Sequence, residues 1–365
     1  MDLSRQHAAL RPQLQSLYDH LLESGQFILG PLVAEFEQKL AKFCNCNYAV
    51  GISSGTDALL MAMIALGIGD GDEVITTPFT FFATAGCIAR LGAKPVFVDI
   101  HPTTFNIDVD GIESAITEKT KAIMPVHLFG QPSDMTSIMA IARRHGLRVI
   151  EDAAQAMGAK HHSQNAGTFG DIGCLSFYPT KILAAIGDAG ACLTNDANLQ
   201  KKMLDLRVHG SGGRETFNQI GGNFRLDTIQ AAILTFKISF LNGWIEQRRA
   251  LADRYNQKLQ CPALGLPIEP AHSYHSYNQY TIHVFGQMRD KLQHHLSVHE
   301  IGNRVYYPKP LHHQPCFKHL GYQPGQFPVA EQAAREVLSL PMYPELNETE
   351  QDQIIGVVQE FFALD

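Results

Sequence analysis

Lys181 is the residue best suited to covalent chemistry. It follows a β-rich apolar run, Asp171–Tyr178, and precedes a glycine-containing stretch, Gly187–Gly190. A lysine at the carboxyl end of a buried strand can lose solvation and become a usable amine nucleophile. Because most lysines are simply exposed to solvent, this interpretation depends on the residues around Lys181.

Two adjacent carboxylates, Glu151 and Asp152, end another apolar run, Leu147–Asp152. In open α/β folds this edge of the sheet binds ligands. Successive side chains on a strand point to opposite faces, so only one of the two carboxylates can face a ligand. There it could keep a cationic ring nitrogen protonated. A solvated strand end or a helix cap explains the pattern equally well.

A phosphate site is predicted at Ser53–Asp57, which joins a strand to a helix. The start of a helix offers free backbone N–H groups and the positive end of its dipole. Gly55 permits close approach of the backbone, and the Thr56 hydroxyl adds a donor. The alternative is a Ser/Thr helix cap without any ligand.

The run Gly221–Asp227 opens a long helix. Asn223 and Asp227 can be plain capping residues, while the glycine pair at 221 and 222 allows close approach to another surface.

No metal site is predicted from the histidines. His295 and His299 have i, i+4 spacing, but no acidic partner completes a zinc motif in the sequence. The adjacent pairs at 161–162 and 312–313 offer poor geometry for one ion.

The elements that must position these motifs alternate between strands and helices, which favours an α/β fold with a largely parallel sheet. The last two strands are joined by a loop, so one antiparallel strand is possible. The predicted strands are Tyr48–Ile52, Glu73–Thr77, Pro95–Asp99, Lys121–Val126, Leu147–Asp152, Asp171–Tyr178 and Gly190–Thr194, and the helices between them include Thr56–Leu66 and Met135–His145.

A long helix, Leu226–Leu259, is predicted next, and the loop from Pro262 to Pro270 is the best domain boundary. The remainder is expected to form a small α+β domain, which gives a large domain at 1–260 and a small one at 261–365. Its predicted elements are the strands Tyr277–Phe285 and Arg304–Tyr307 and the helices Arg289–His299 and Val329–Leu338.

Composition excludes several classes of function. The 365 residues carry a net charge of −7, which argues against nucleic acid or an anionic membrane as the main partner. Seven cysteines without a CxxC pair indicate reduced thiols. No apolar run reaches the roughly 20 residues that cross a bilayer, so a cytoplasmic protein without a membrane partner is expected.

Together and in this order, the motifs fit one ligand. A phosphate site, a carboxylate and a lysine after successive strands match the phosphate, ring nitrogen and aldehyde of pyridoxal phosphate. The chain resembles the DegT/DnrJ-type nucleotide-sugar aminotransferases of the type I pyridoxal-phosphate fold. The segments that carry this resemblance are SSGTDAL, EDAAQ, SFYPTK and GGNFRLDTIQAAIL.

The resemblance implies a role for individual residues. Lys181 would be the Schiff-base lysine and Asp152 the partner of the ring nitrogen. Gln155 would contact the ring hydroxyl, and Phe81 would stack on the ring. The implied phosphate ligands are Gly55, Thr56, Ser176 and, from the neighbouring subunit of a homodimer, Asn223.

The sugar site is the least determined part of the resemblance. The predicted substrate contacts are Phe27, Tyr306, Tyr307 and His312. Tyr306 departs from the family pattern, since histidine is common there. The run Arg225–Asp227 resembles members that aminate carbon 3, which favours a 3-keto UDP- or dTDP-hexose over a 4-keto sugar.

The expected reaction is a two-stage transamination with L-glutamate as donor and pyridoxamine phosphate between the stages. In it Lys181 acts as general base and acid. Two other interpretations stay open: a non-catalytic relative that binds cofactor or nucleotide-sugar and regulates other proteins, and a lysine Schiff-base lyase without cofactor.

Overall fold

A seven-stranded sheet forms the centre of the molecule. In a computed structural model that describes residues 3–363, the strands follow the order β1-β7-β6-β5-β4-β2-β3. Their bounds are Tyr48–Ile52 (β1), Glu73–Thr76 (β2), Lys94–Phe97 (β3), Thr120–Ile123 (β4), Arg148–Asp152 (β5), Ile172–Ser176 (β6) and Gly190–Thr194 (β7). All seven predicted strands are present, with ends that differ by a few residues.

One strand of this sheet is reversed. β2, β3, β4, β5 and β6 pair in parallel, whereas β7 runs antiparallel to both β6 and β1. Because β7 starts where β6 and β1 end, the loops after those strands and the loop before β7 meet at one edge. This confirms the antiparallel strand that the short β6–β7 connection had made possible.

Eleven α-helices are found within residues 3–363, and several of them cover the sheet. Their bounds are Leu3–Ser24 (α1), Pro31–Cys44 (α2), Gly55–Leu66 (α3), Ala83–Arg90 (α4), Met135–His145 (α5), Ala197–Leu206 (α6), Thr228–Lys237 (α7), Leu241–Lys258 (α8), Arg289–Val298 (α9), Pro328–Glu336 (α10) and Glu348–Ala363 (α11). Buried side chains of α3 pack on one face of the sheet and those of α2 and α7 on the other. Both faces are therefore covered, as a parallel sheet requires.

The C-terminal part builds its own sheet from the antiparallel strands Leu264–Gly265 (β8), Tyr280–Val284 (β9) and Val337–Leu340 (β10). Its core also contains Leu251, Ala252 and Tyr255 from the second half of α8. The boundary at residue 260 stays a prediction.

Three elements predicted after residue 225 need correction. The helix predicted over 226–259 is two helices, separated by a 3-10 turn at Ile238–Phe240. The strand predicted at Arg304–Tyr307 is reduced to a single bridge between Arg304 and Ser339. The helix predicted over 329–338 ends at Glu336, because Val337 and the residues after it pair with β9 instead.

Candidate active site

A cavity of about 760 Å³ opens at the carboxyl edge of the central sheet. It lies beside the start of β7, the strand that runs antiparallel to its neighbours. The carboxyl ends of β1, β5 and β6 therefore all contribute to its wall. Its lining includes nine of the sequence-predicted site residues: Gly55, Thr56, Phe81, Asp152, Gln155, Ser176, Lys181, Tyr306 and Tyr307. The fold thus brings together residues that are far apart in the chain.

The start of α3 forms one corner of the cavity. Ser54 caps this helix, since its hydroxyl accepts a hydrogen bond from the Asp57 backbone N–H at 3.0 Å. A side chain at Gly55 would lie 2.7 Å from Cβ of Ser176, so only glycine allows this close approach. The cap and the predicted anion site therefore coexist, with the Thr56 and Ser176 side chains beside free helix N–H groups.

Asp152 is the carboxylate that faces the cavity. It is buried and accepts hydrogen bonds from the Thr84 hydroxyl at 2.7 Å and the Ala154 N–H at 3.2 Å. Burial raises the pKa of Asp152, while these two hydrogen bonds and the nearby amine of Lys181 act in the opposite direction. Thr84, which the sequence did not single out, thus orients this carboxylate.

Lys181 shares the cavity with this carboxylate. Burial lowers the pKa of its amine to about 8, and the charge of Asp152 only partly offsets that effect. A lysine with such a pKa is partly uncharged near neutral pH and can act as a nucleophile or base. The sequence-based argument for Lys181 therefore has its physical basis in burial.

Two side chains of α7 make hydrogen bonds to the loop that carries Lys181. Ala184 accepts a hydrogen bond from the amine of Lys237 at 2.9 Å, and the Ile186 N–H donates to the side chain of Gln230 at 3.0 Å. Lys237 is fully buried, and burial lowers its pKa to about 8. α7 therefore fixes the loop at two points after Lys181.

Glu151 has a structural role. Its carboxylate is completely buried and accepts hydrogen bonds from His127 at 2.9 Å and from three backbone N–H groups at 2.7–2.8 Å, those of residues 167, 169 and 170. The other ring nitrogen of His127 accepts from the Ser133 N–H, so the nitrogen facing Glu151 carries the proton. The carboxylate thus shapes the turn before β6 and does not face the cavity.

Gln155 and Tyr307 are linked across the cavity wall. The Gln155 side-chain oxygen accepts from the Phe129 N–H at 2.8 Å, and its NH₂ group donates to the Tyr307 hydroxyl at 2.9 Å. This fixes the orientation of the amide and leaves one of its two N–H donors for a ligand. The exposed ring of Phe81 lies 6.3 Å from the ring of Tyr307.

Two cations that the sequence did not indicate also line the cavity. They are Arg304 and Lys309, which flank the tyrosine pair. Both side chains are exposed. Their charges at the cavity wall favour an anionic group of a ligand.

Three predicted site residues lie outside the cavity lining. Phe27 and Asn223 are exposed to solvent. His312 is buried and contacts Glu331, with 3.1 Å between Nε2 and the carboxylate oxygen. Their assignments to substrate or to a neighbouring subunit stay predictions.

The residues present fit pyridoxal phosphate. The N–H groups at the start of α3 and the hydroxyls beside them suit a dianionic phosphate. Asp152 is a buried acceptor that would meet a protonated ring nitrogen, and Lys181 is a half-buried lysine whose amine has a lowered pKa. Because Gly55 has no side chain, the phosphate corner stays open to a ligand.

Comparison with known proteins agrees with this geometry. The model of the DegT/DnrJ/EryC1/StrS aminotransferase family matches residues 9–359. The chain belongs to this family. It is 50% identical to a Geobacillus stearothermophilus protein described as a pleiotropic regulatory protein, over 99% of this chain and 98% of that one.

A further relative is named as an aminotransferase, and a similar solved structure holds a ketimine intermediate. The chain is 44% identical to the UDP-N-acetyl-3-dehydro-alpha-D-glucosamine 3-aminotransferase of Acidithiobacillus ferrooxidans, over 98% of this chain and 96% of that one. It superposes with a TM-score of 0.96 on DesV of S. venezuelae in complex with a ketimine intermediate, at 38% identity over 99% of this chain and 97% of DesV.

These findings confirm the type I fold, the pyridoxal phosphate cofactor and the class of enzyme, a nucleotide-sugar aminotransferase. They leave the cofactor-free lyase without support. No helix within residues 3–363 has the length and hydrophobicity needed to cross a membrane.

Proposed function

We propose that this aminotransferase moves an amino group from L-glutamate to the 3-keto group of a UDP- or dTDP-linked hexose. The reaction type rests on half-buried Lys181 and buried Asp152, which share one cavity with a helix N-terminus. The preference for carbon 3 rests on Arg225–Asp227 and on the Acidithiobacillus relative.

Lys181 moves the proton in this proposal. With a pKa near 8, its amine can take a proton from the α-carbon of the donor and return one at the end of the half-reaction. Asp152 keeps the ring nitrogen of the cofactor protonated. When bound, pyridoxal phosphate supplies the electron sink that makes the α-proton acidic.

Gln155 and Phe81 orient the reacting ring. Gln155 is locked by Phe129 and Tyr307, so its remaining N–H donor points in a fixed direction. Phe81 offers an exposed aromatic face at the cavity. A fixed ring keeps the α-proton within reach of Lys181.

The outer cavity suits anionic substrates. Arg304 and Lys309 would bind the carboxylates of glutamate or the diphosphate of the nucleotide-sugar. The two substrates would occupy the same cavity one after the other. Tyr306 and Tyr307 would contact the sugar. Phe27 and His312 would complete the substrate site after closure or assembly.

The active unit in this proposal is a homodimer with shared sites. Asn223 and the neighbouring Ile220 are exposed, and Ile220 is 92% accessible in the single chain. Phe217 on the same segment is 63% accessible, so two large apolar side chains are uncovered near a predicted phosphate ligand, which favours a covering surface. A second subunit would place Asn223 at the partner's phosphate corner.

A second candidate is a regulatory protein that binds the cofactor or a nucleotide-sugar. The 50% identical relative from Geobacillus stearothermophilus, described as a pleiotropic regulatory protein, favours it. Binding alone, however, has no need for a lysine of lowered pKa next to a carboxylate. Catalysis is therefore the better-supported function.

The test is an assay of purified protein with pyridoxal phosphate and glutamate. Matched 3-keto and 4-keto isomers of UDP- and dTDP-linked hexoses are offered one at a time, and 2-oxoglutarate release is measured. We expect turnover on at least one 3-keto sugar and slower turnover on its 4-keto isomer. Turnover only on 4-keto sugars would refute the preference for carbon 3.

Lys181→Ala provides the matched control. This variant should retain pyridoxamine phosphate binding, because the phosphate corner and Asp152 are unchanged, yet it should not turn over. Inactivity of the wild-type protein on every sugar, together with cofactor binding, would support the regulatory candidate. Normal turnover by Lys181→Ala would refute the role of this lysine.

A further inference from the structure

Two histidines and a glutamate form a cluster outside the active site. His295 lies in the last turn of α9 and His299 directly follows that helix, with ring centroids separated by 4.6 Å. α11 brings Glu360 beside them, and one ligand atom from each residue lies within 4.8 Å of the other two. We infer that this cluster binds a divalent transition-metal ion, with zinc as its best fit.

The cluster has unused ligand capacity. Nε2 of His295 is buried and has no hydrogen-bond partner among residues 3–363. A buried polar nitrogen without a partner is costly, and a bound ion or water would remove that cost. The His299 and Glu360 side chains are exposed, which leaves an entry path for an ion.

The donor set selects the class of metal. Two imidazoles with one carboxylate are a known zinc set that leaves a fourth position for water. Imidazole ligands also suit copper and nickel, whereas magnesium and calcium prefer oxygen ligands. Zinc bonds of about 2.1 Å would place tetrahedral ligand atoms about 3.4 Å apart, so small side-chain adjustments complete the site.

His312, His313 and Glu331 form a second cluster of similar composition, but it supports a metal site less well. There Glu331 already accepts hydrogen bonds from His312 at 3.1 Å and from the Gly325 N–H at 2.7 Å, and both use the same carboxylate oxygen. A metal bound through Nε2 of His312 and this carboxylate oxygen would have to break these bonds. The cluster of α9 and α11 needs no such exchange.

The bound ion would link α9 to α11. The two helices already touch through the rings of His295 and Phe361, whose centroids lie 5.4 Å apart. None of the three ligands lines the active-site cavity. The ion would therefore stabilise the packing of the last helix and take no part in the amino transfer.

The experiment uses the full chain with its cofactor after removal of metals by a chelator. The protein is dialysed to equilibrium against zinc buffers at pH 7.5, and bound zinc is measured by mass spectrometry. We expect one equivalent with a dissociation constant of about 10 µM or tighter.

Variants locate the ion. His299→Ala and Glu360→Gln should each weaken binding at least about tenfold. His294→Ala is the matched control, since His294 is an exposed histidine of the same helix outside the cluster, and it should bind zinc like the wild type. All three variants should keep the unfolding midpoint of the metal-free protein.

Two results would overturn the inference. One is the absence of a bound equivalent at about 100 µM free zinc, roughly ten times the expected dissociation constant. The other is zinc binding by His299→Ala and Glu360→Gln that equals the wild type, since the ion would then occupy some other place.

Discussion

The amine of Lys181 should set the pH dependence with which the apoenzyme takes up pyridoxal phosphate. Only an uncharged amine attacks the aldehyde of the cofactor. Burial lowers the pKa of this amine from 10.5 to about 8. The rate of uptake should therefore rise about tenfold per pH unit below 8 and level off above it.

The size of the effect follows from the two pKa values. At pH 7.5 about a quarter of an amine with a pKa of 8 is uncharged, against about one part in a thousand for a pKa of 10.5. The larger uncharged fraction should thus make Lys181 react about 200-fold faster than an ordinary lysine.

The assay follows the absorbance of the lysine-bound cofactor after mixing with apoenzyme from pH 6 to 10. A free lysine derivative with a blocked α-amine is the control for titration of the cofactor itself, and its rate should keep rising to pH 10. Dividing the control rates by the uncharged fraction of the control's own amine leaves the titration of the cofactor. Dividing the enzyme rates by that remainder isolates the amine of Lys181.

Asp152→Asn tests the opposing effect of this carboxylate on the pKa of Lys181. The carboxylate of Asp152 raises the pKa of Lys181, so its removal should move the midpoint of the uptake profile to lower pH. An enzyme profile that rises without a plateau up to pH 10 would refute the lowered pKa. A midpoint that moves to higher pH in Asp152→Asn would refute the proposed interaction.

Three other substitutions test the geometry. Gly190→Ala would place Cβ 2.5 Å from backbone atoms of Ser54, so cofactor affinity, measured by equilibrium dialysis, should fall at least about tenfold, and unchanged affinity would contradict the tight phosphate corner. Gly173→Ala would place Cβ 2.0 Å from a backbone carbonyl; we expect a loss of about 3 kcal/mol or more in denaturant unfolding, and a loss below about 1 kcal/mol would count against this contact. Tyr307→Phe frees the amide of Gln155 and should lower kcat about tenfold with cofactor still bound, whereas wild-type kcat would show that the amide needs no such anchor.

The sequence predicted that Asp152 and Lys181 would meet because both follow or end strands, and both line one cavity. Alternating β-rich and helical patterns located β5 and β6, and the residues that end or follow them had to meet at one edge. Asp152 and Lys181 were found in this way. Alternation of side chains along a strand also predicted that Glu151 would face away from Asp152.

Long-range pairing accounts for the errors. Val337 and Leu338 continue the apolar spacing of α10, so the helix was extended over them, but pairing with Tyr280–Val284 makes them a strand. The inferred cluster of His295 and Glu360 joins residues distant in the chain, so no local pattern could indicate it. The hydrogen bond from Thr84 to Asp152 was missed for the same reason.

The reversed strand has a consequence for binding entropy. Ser176 and Gly190 pair directly across β6 and β7, so the segment with Lys181 is a loop whose two ends are already joined. Further contacts to Lys237 and Gln230 from α7 restrict its interior. The loop therefore loses its conformational entropy when the protein folds, before any cofactor binds. Cofactor binding then proceeds to a prepared surface, and less of its binding free energy is lost to ordering the chain.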